Sequence, residues 1–249
     1  MGAKTLNLAV TAVVTAGAFA GGFVSGLAGF GTGLVALGFW LYVIAPAPAA
    51  TLVAVCSVVA QAQTIPAVWH TVDRGRVWPM VVAGLLGVPV GTVLLSRVDP
   101  WVFRLSVGVS LVAFSGLMLL GRARPRVEWG GRGADSVVGF AGGVLGGLAG
   151  LSGPLPTAWA TLRGWSKDEA RGVFQAFNLV VLAAVVVWHV ASGLLTAELG
   201  LLIAVAIPGT CVGAWLGVRA YRRLSDRRFR EVVLCLLGVS GLALVWASR

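Results

Sequence analysis

Residues 20–34 read AGGFVSGLAGFGTGL, and residues 141–155 read AGGVLGGLAGLSGPL. Eight of the fifteen aligned positions are identical, all at one offset of 121 residues. Each copy lies in an apolar region that glycines interrupt, 6–46 in the first case and 135–162 in the second. Self-similarity at a fixed offset indicates an internal repeat, and the glycine clusters predict a break between two helices in each copy.

The repeat extends beyond this motif, because Trp69-His70 returns as Trp188-His189 at an offset of 119 residues. We therefore predict two transmembrane repeats joined by a basic cytoplasmic linker: 1–121, 122–134 and 135–249.

The composition is that of a membrane protein. Hydrophobic residues make up 58% of the chain, charged residues only 11%, and the mean hydropathy is +0.92. Soluble domains are typically about 45–50% apolar and about 25% charged. These values exclude a disordered chain and an ordinary soluble enzyme. The net charge of +10 is confined to short clusters between apolar runs, which is typical of cytoplasmic loops and not of a nucleic-acid-binding surface.

A membrane-spanning helix needs about 20 mostly apolar residues. Six runs have that length: 51–70, 77–96, 101–120, 172–191, 198–218 and 230–247. We expect the breaks between spans at the Gly/Arg-rich stretch 121–134 and at four prolines, which are Pro46, Pro48, Pro79 and Pro100. With the two glycine-broken regions, the chain is predicted to be an all-α polytopic protein of the cell membrane with about 8–10 segments.

Loop charges indicate how the repeats are oriented. The more basic member of each pair of equivalent loops alternates between the halves; for example, the loop at 219–230 carries six Arg, whereas its counterpart near 97–100 carries one. Under the positive-inside rule, equivalent loops then lie on opposite sides of the membrane. We predict an inverted-topology repeat, common in secondary transporters, with both termini outside.

The glycine motifs themselves predict an anion site. Proline is favoured in a first helical turn, so a helix starting at Pro154, and another after Thr32, would each leave free backbone N–H groups that attract anions. Small residues for helix packing are the simpler explanation for the preceding glycines Gly21, Gly22, Gly142 and Gly143. The motif lacks the Lys of a phosphate-binding loop and the strand of a dinucleotide fold.

Few polar side chains occur within the predicted spans, so each one is informative. Gln175 and Asn178 share one face of the helix after the second break, and Ser57 and Gln61 share a face of the equivalent helix. Interhelical hydrogen bonding and substrate contact remain equal alternatives for Gln175 and Asn178, and hydrogen bonding is favoured for Gln61 and Gln63. The predicted substrate-binding set is Gly29, Gly31, Thr32, Gly33, Ser57, Gly150, Ser152, Gly153, Pro154, Gln175 and Asn178.

The sequence resembles the sulfite exporter TauE/SafE family of membrane permeases. The resemblance is carried by GLAGFGTG at 26–33 and GLAGLSGP at 147–154, and also by RGR at 74–76, KDEA at 167–170 and the basic segment 219–230. It implies transport of sulfite, organosulfonates or other small anions. Thr32 and Ser152 stand where the family usually has Gly, and each adds a hydroxyl at the expected site.

We expect a small anion and the lipid bilayer as partners. We expect no nucleic acid, metal, cofactor or catalytic residue. A homodimer is one of the alternatives for the oligomeric state. His70 and His189 read as interface residues beside tryptophans, with proton relay as the alternative. All nine acidic residues fall in loops or at span ends, which favours transport driven by the membrane potential. An integral-membrane enzyme or a non-transporting scaffold is the alternative function.

Overall fold

The computed structural model describes residues 7–95, isolated positions between 101 and 119, and residues 127–246. Most of the predicted span 101–120 and the start of the linker lie outside these residues. The continuous ranges contain helices and short connections but no strand. Their α-helices are α1 (Leu8–Ala28), α2 (Thr32–Trp40), α3 (Pro46–Thr64), α4 (Arg74–Leu95), α5 (Gly131–Ala149), α6 (Pro154–Arg163), α7 (Lys167–Ala191), α8 (Ala197–Arg222) and α9 (Asp226–Trp246).

Five of the described helices are long and apolar enough to cross a membrane: α1, α3, α4, α7 and α8. The prediction of an all-α polytopic membrane protein is therefore confirmed. Local capping sets several of the helix starts. Asn7 accepts a hydrogen bond from the N–H of Ala9 at the start of α1, and Thr196 accepts one from Leu199 at the start of α8.

The prediction of a helix break at Pro79 is wrong. Pro79 lies inside α4 and is its sixth residue. A proline there removes only the hydrogen bond to the carbonyl of Gly75, close to the helix end, so the helix continues. Pro46 opens α3, and Pro48 falls in its first turn, where the backbone N–H has no helical partner in any case.

Two pairs of helices join the two halves by close backbone contact. α1 packs along α8, and α4 packs along α5. A Cβ atom on Gly22 would collide with the backbone of Thr210, and one on Gly26 with that of Ala214. From the first contact to the second, the residue number increases by four on each helix, so α1 and α8 run parallel. Glycines of α5 approach the backbone of α4 in the same way: Gly139, Gly143 and Gly147.

The equivalent helices α3 and α7 cross the middle of the molecule in antiparallel directions. Near the end of α3, Thr64 Oγ1 accepts a hydrogen bond from Gln175 Nε2. Near its start, Thr51 Oγ1 and His189 Nδ1 share a hydrogen bond of 3.0 Å. Equivalent helices of an inverted repeat must run in opposite directions, and this pair does. His189 is 7% exposed and lies in the last turn of α7.

The basic connections gather at one end of the bundle, which we call the basic end. Arg163 Nη1 donates to the carbonyls of Val127 (3.3 Å) and Trp129 (3.1 Å). Lys167 Nζ donates to the carbonyl of Leu224 at 2.6 Å. These contacts join the end of the linker, the start of α7 and the connection between α8 and α9, which are segments that the positive-inside rule places on one side of the membrane.

Candidate functional site

The first glycine motif interrupts the helical backbone between α1 and α2. Gly29 ends α1 with φ +82°, and its N–H donates to the carbonyl of Ser25 at 2.8 Å. Gly31, with φ +97°, precedes the first residue of α2, Thr32. Side chains strongly disfavour these left-handed conformations, whereas glycine adopts them freely. The two glycines therefore allow the chain to turn sharply from one helix into the next.

The second motif does the same between α5 and α6. Gly150 ends α5 with φ +68°, and its N–H donates to the carbonyl of Gly146 at 2.8 Å. α6 begins at Pro154 after Gly153. In both motifs the residue before the new helix is a glycine, so no side chain caps the helix start. The first turn of α2 therefore has free N–H groups, whereas in the first turn of α6 Pro154 and Pro156 have no N–H and only Leu155 offers one.

The two breaks lie against each other. A Cβ atom on Gly33 would lie 3.8 Å from the carbonyl oxygen of Gly150, and one on Gly153 would lie 2.7 Å from Phe30 Cβ. The uncapped starts of α2 and α6 therefore approach one another, although they are 122 residues apart in the sequence.

A small cavity of about 20 Å³ separates the breaks, a space that holds about one water molecule. It is lined by Phe30, Gly31, Thr32, Gly33, Leu34, Ser57, Gln61, Gly150, Leu151, Ser152, Gly153, Pro154, Asn178 and Leu182. No carboxylate and no basic side chain is among these lining residues. Thr32, Gly33 and Leu34 belong to the uncapped first turn of α2, and such a helix end carries partial positive charge.

A chain of hydrogen bonds runs along one wall of the cavity. Ser152 Oγ donates to Asn178 Oδ1 at 2.7 Å, and Asn178 Nδ2 donates to the carbonyl of Gly29 at 3.4 Å. The same carbonyl accepts a second bond, from Gln61 Nε2 at 2.9 Å. Asn178 lies near the midpoint of α7, so this network places the first break at the middle of a helix long enough to cross the membrane.

Two polar atoms at the cavity are buried without a partner. Thr32 Oγ1 and Gln61 Oε1 have no hydrogen-bond partner among the described residues, and their side chains are exposed by only 2% and 1%. A buried polar group left unpaired typically costs about 1–3 kcal/mol. Thr32 Oγ1 can donate to a bound anion, whereas Gln61 Oε1 only accepts hydrogen bonds.

Nine of the eleven predicted site residues line the cavity: Gly31, Thr32, Gly33, Ser57, Gly150, Ser152, Gly153, Pro154 and Asn178. Gly29 lies beside it and contributes its carbonyl as an acceptor. Gln175 does not reach the cavity, because its amide is bonded to Thr64 on α3. Interhelical hydrogen bonding was favoured for Gln61, and Gln61 makes such a bond to Gly29 while also lining the cavity. Its spacing of four residues from Ser57 was a usable indication of this.

Arg171 directly precedes the predicted span 172–191, among the basic residues expected in loops, and this expectation is wrong. It lies inside α7 with 0% exposure, and its Nη2 donates to the carbonyl of Gly26 at 2.6 Å. A Cβ atom on Gly29 would lie 3.1 Å from Arg171 Cγ, so the arginine stem packs beneath the first break. The sequence shows Arg171 within a cluster of charges, and only the packing of α1 on α7 shows that it is buried.

The comparisons with known proteins give one match. A family model described as "TauE: Sulfite exporter TauE/SafE" matches residues 13–244, nearly the whole chain. Neither the comparison with curated proteins nor the comparison with solved structures finds a match.

Proposed function

Because the chain belongs to the sulfite exporter TauE/SafE family of membrane transporters, we propose that it is a secondary transporter of small sulfur-containing anions in the cell membrane. Sulfite and organosulfonates are the proposed substrates. The proposed binding site is the cavity between the two helix breaks, near the middle of the membrane.

The observation that carries this proposal is the meeting of two uncapped helix starts. The first turn of α2 has free N–H groups, and its residues Thr32, Gly33 and Leu34 line the cavity. The start of α6 reaches the same cavity through Gly153 and Pro154. Helix N-termini carry partial positive charge and bind anions through these groups. Discontinuous helices whose N-terminal ends face an anionic substrate are a recurring design of secondary transporters. Thr32 Oγ1 adds an unpaired donor to this environment.

The architecture suggests how the site would open. The present cavity of about 20 Å³ is too small for an anion with several heavy atoms, since it holds about one water. Transport therefore requires the helices around it to separate. The two glycine-packed pairs, α1 with α8 and α4 with α5, each combine one helix from each half. We propose that these pairs move relative to the antiparallel α3 and α7, with both termini of the chain outside.

Flux measurements in proteoliposomes test this function. We expect saturable transport of sulfite or organosulfonates, and weaker transport of carboxylates. Asn178→Ala should reduce transport because it removes a bond to both breaks. Gln63→Ala is the matched control, since Gln63 donates its amide to the carbonyl of Cys211 away from the cavity. Absence of transport for every anion would contradict the function, and equal loss in both variants would contradict the site.

A further inference from the structure

Arg171 is a fully buried cation with no carboxylate partner within 4.0 Å among the described residues. Its Nη2 and Nη1 donate to the carbonyls of Gly26 (2.6 Å) and Leu27 (3.5 Å), in the last turn of α1. Its Nε has no hydrogen-bond partner there. A helix C-terminus supplies partial negative charge, but a buried arginine without a counter-ion remains costly in a membrane helix.

Tyr221 and Asp168 are the neighbouring side chains of the guanidinium, and the Asp168 carboxylate attracts it without forming a direct ion pair. Its Cζ lies 3.8 Å from the centre of the Tyr221 ring, on α8. The nearest acid on the same helix face, Asp168, is engaged with the Tyr221 hydroxyl, which donates to its Oδ1. Arg171 therefore joins three helices, α1, α7 and α8, and its Nε retains an unused hydrogen-bond donor.

The position of Arg171 places it between the basic end and the cavity. It precedes Asn178 by seven residues, which corresponds to about 10 Å along an α-helix. The start of α7 lies at the basic end, where Lys167 bonds to Leu224. An anion that travels from the basic end to the cavity along α7 passes Arg171 before it reaches Asn178.

We propose that Arg171 is a substrate-binding residue that receives the anion on the cytoplasmic side of the cavity and also holds that side closed in the present structure. The arriving anion replaces the carbonyls of Gly26 and Leu27 as acceptors of the guanidinium, and this releases the end of α1 from α7. This inference rests on the proposed function and on its orientation in the membrane.

The guanidinium group also defines the class of anion. Its N–H donors form a planar fork that binds two oxygens of one oxyanion together, and a lysine ammonium cannot reproduce that geometry. Sulfite and sulfonates present such pairs of oxygens, whereas a halide does not. Arg171 therefore selects oxyanions over chloride.

The test compares sulfite efflux from proteoliposomes for wild type, Arg171→Gln, Arg171→Lys and the control Arg228→Gln. Arg228 is exposed and belongs to the same basic end, so its replacement removes an equal charge outside the path. We expect Arg171→Gln to raise the KM for sulfite about tenfold or more, the size of one charge-assisted hydrogen bond. Arg228→Gln should retain the wild-type KM.

Arg171→Lys keeps the positive charge, so it provides the test if Arg171→Gln fails to insert into the membrane. It should raise the KM for sulfite while chloride becomes a better competitor, which a purely structural role would not produce. An unchanged KM and unchanged chloride competition in Arg171→Lys would overturn this inference alone. If wild type moves no anion, the proposed function fails, and this inference fails with it.

Discussion

Replacing Thr32 with valine should make the protein more stable and a poorer transporter. The side chain is 2% exposed, its Oγ1 lines the cavity, and that atom has no partner among the described residues. Valine has nearly the same shape but no hydroxyl, so the substitution removes the cost of an unpaired buried polar group, about 1–3 kcal/mol. Without anion, the unfolding temperature of Thr32→Val should therefore rise.

Anion binding should respond in the opposite direction. A hydrogen bond from a hydroxyl to a charged group contributes about 1.5–3 kcal/mol. Its loss should raise the KM for sulfite by about ten- to a hundredfold, since about 1.4 kcal/mol corresponds to tenfold. The two measurements are thermal unfolding of the purified protein and flux in proteoliposomes, each on the same preparations.

Thr157→Val is the matched control for this pair of measurements. Thr157 is also fully buried with an unpaired Oγ1, but it lies within α6 and does not line the cavity. Its replacement should raise the unfolding temperature and leave the KM unchanged. The reasoning is refuted if Thr32→Val lowers stability, or if both variants have the wild-type KM.

Three further predictions test the packing, the topology and the driving force. Gly143→Ala should destabilise the protein by about 1–3 kcal/mol, because the added Cβ meets the backbone of Gly84. Gly200→Ala should stabilise α8 by about 0.5–1 kcal/mol, because its Cβ would have no atom within 4 Å. Equal unfolding temperatures of the two variants would contradict this packing. In a cysteine-free background, Ser225→Cys should react with an impermeant thiol reagent only from the cytoplasmic side and Leu194→Cys only from outside. Labelling of both from one side would contradict a membrane crossing by α8, which lies between them. Efflux of a monoanion should accelerate with an imposed potassium diffusion potential at constant pH, since about 100 mV provides about 2.3 kcal/mol per charge. A rate that follows only a pH gradient would exclude transport driven by the membrane potential.

Both helix breaks could be located from sequence because glycine and proline have strong local effects. The motif at residues 29–33 has three glycines, and the motif at 150–154 has two glycines and a proline that starts a helix. The backbone leaves helical geometry at both places. The start of α7 was placed five residues late, at 172. Charged residues there were counted as a loop, although Ser166 and Glu169 form a capping box that makes them the first helical turn.

The neighbours that each buried side chain contacts could not be predicted from the sequence. Helical spacing placed Gln175 and Asn178 on one face, and both do face neighbouring helices. Which of them reaches the cavity depends on the position of Thr64, which approaches from another helix. The burial of Arg171 likewise depends on where α1 ends relative to α7. These are tertiary contacts between distant parts of the chain, and local sequence patterns do not specify them.

The central claim, that the anion binds between the two helix breaks, is tested most directly by locating a bound anion. Crystals grown with selenite, the heavier analogue of sulfite, would show the ion by its anomalous scattering. We predict one peak between the starts of α2 and α6, within hydrogen-bond distance of Thr32 Oγ1. A peak elsewhere in the protein, with the cavity between the breaks empty while the same preparation transports selenite, would contradict the account.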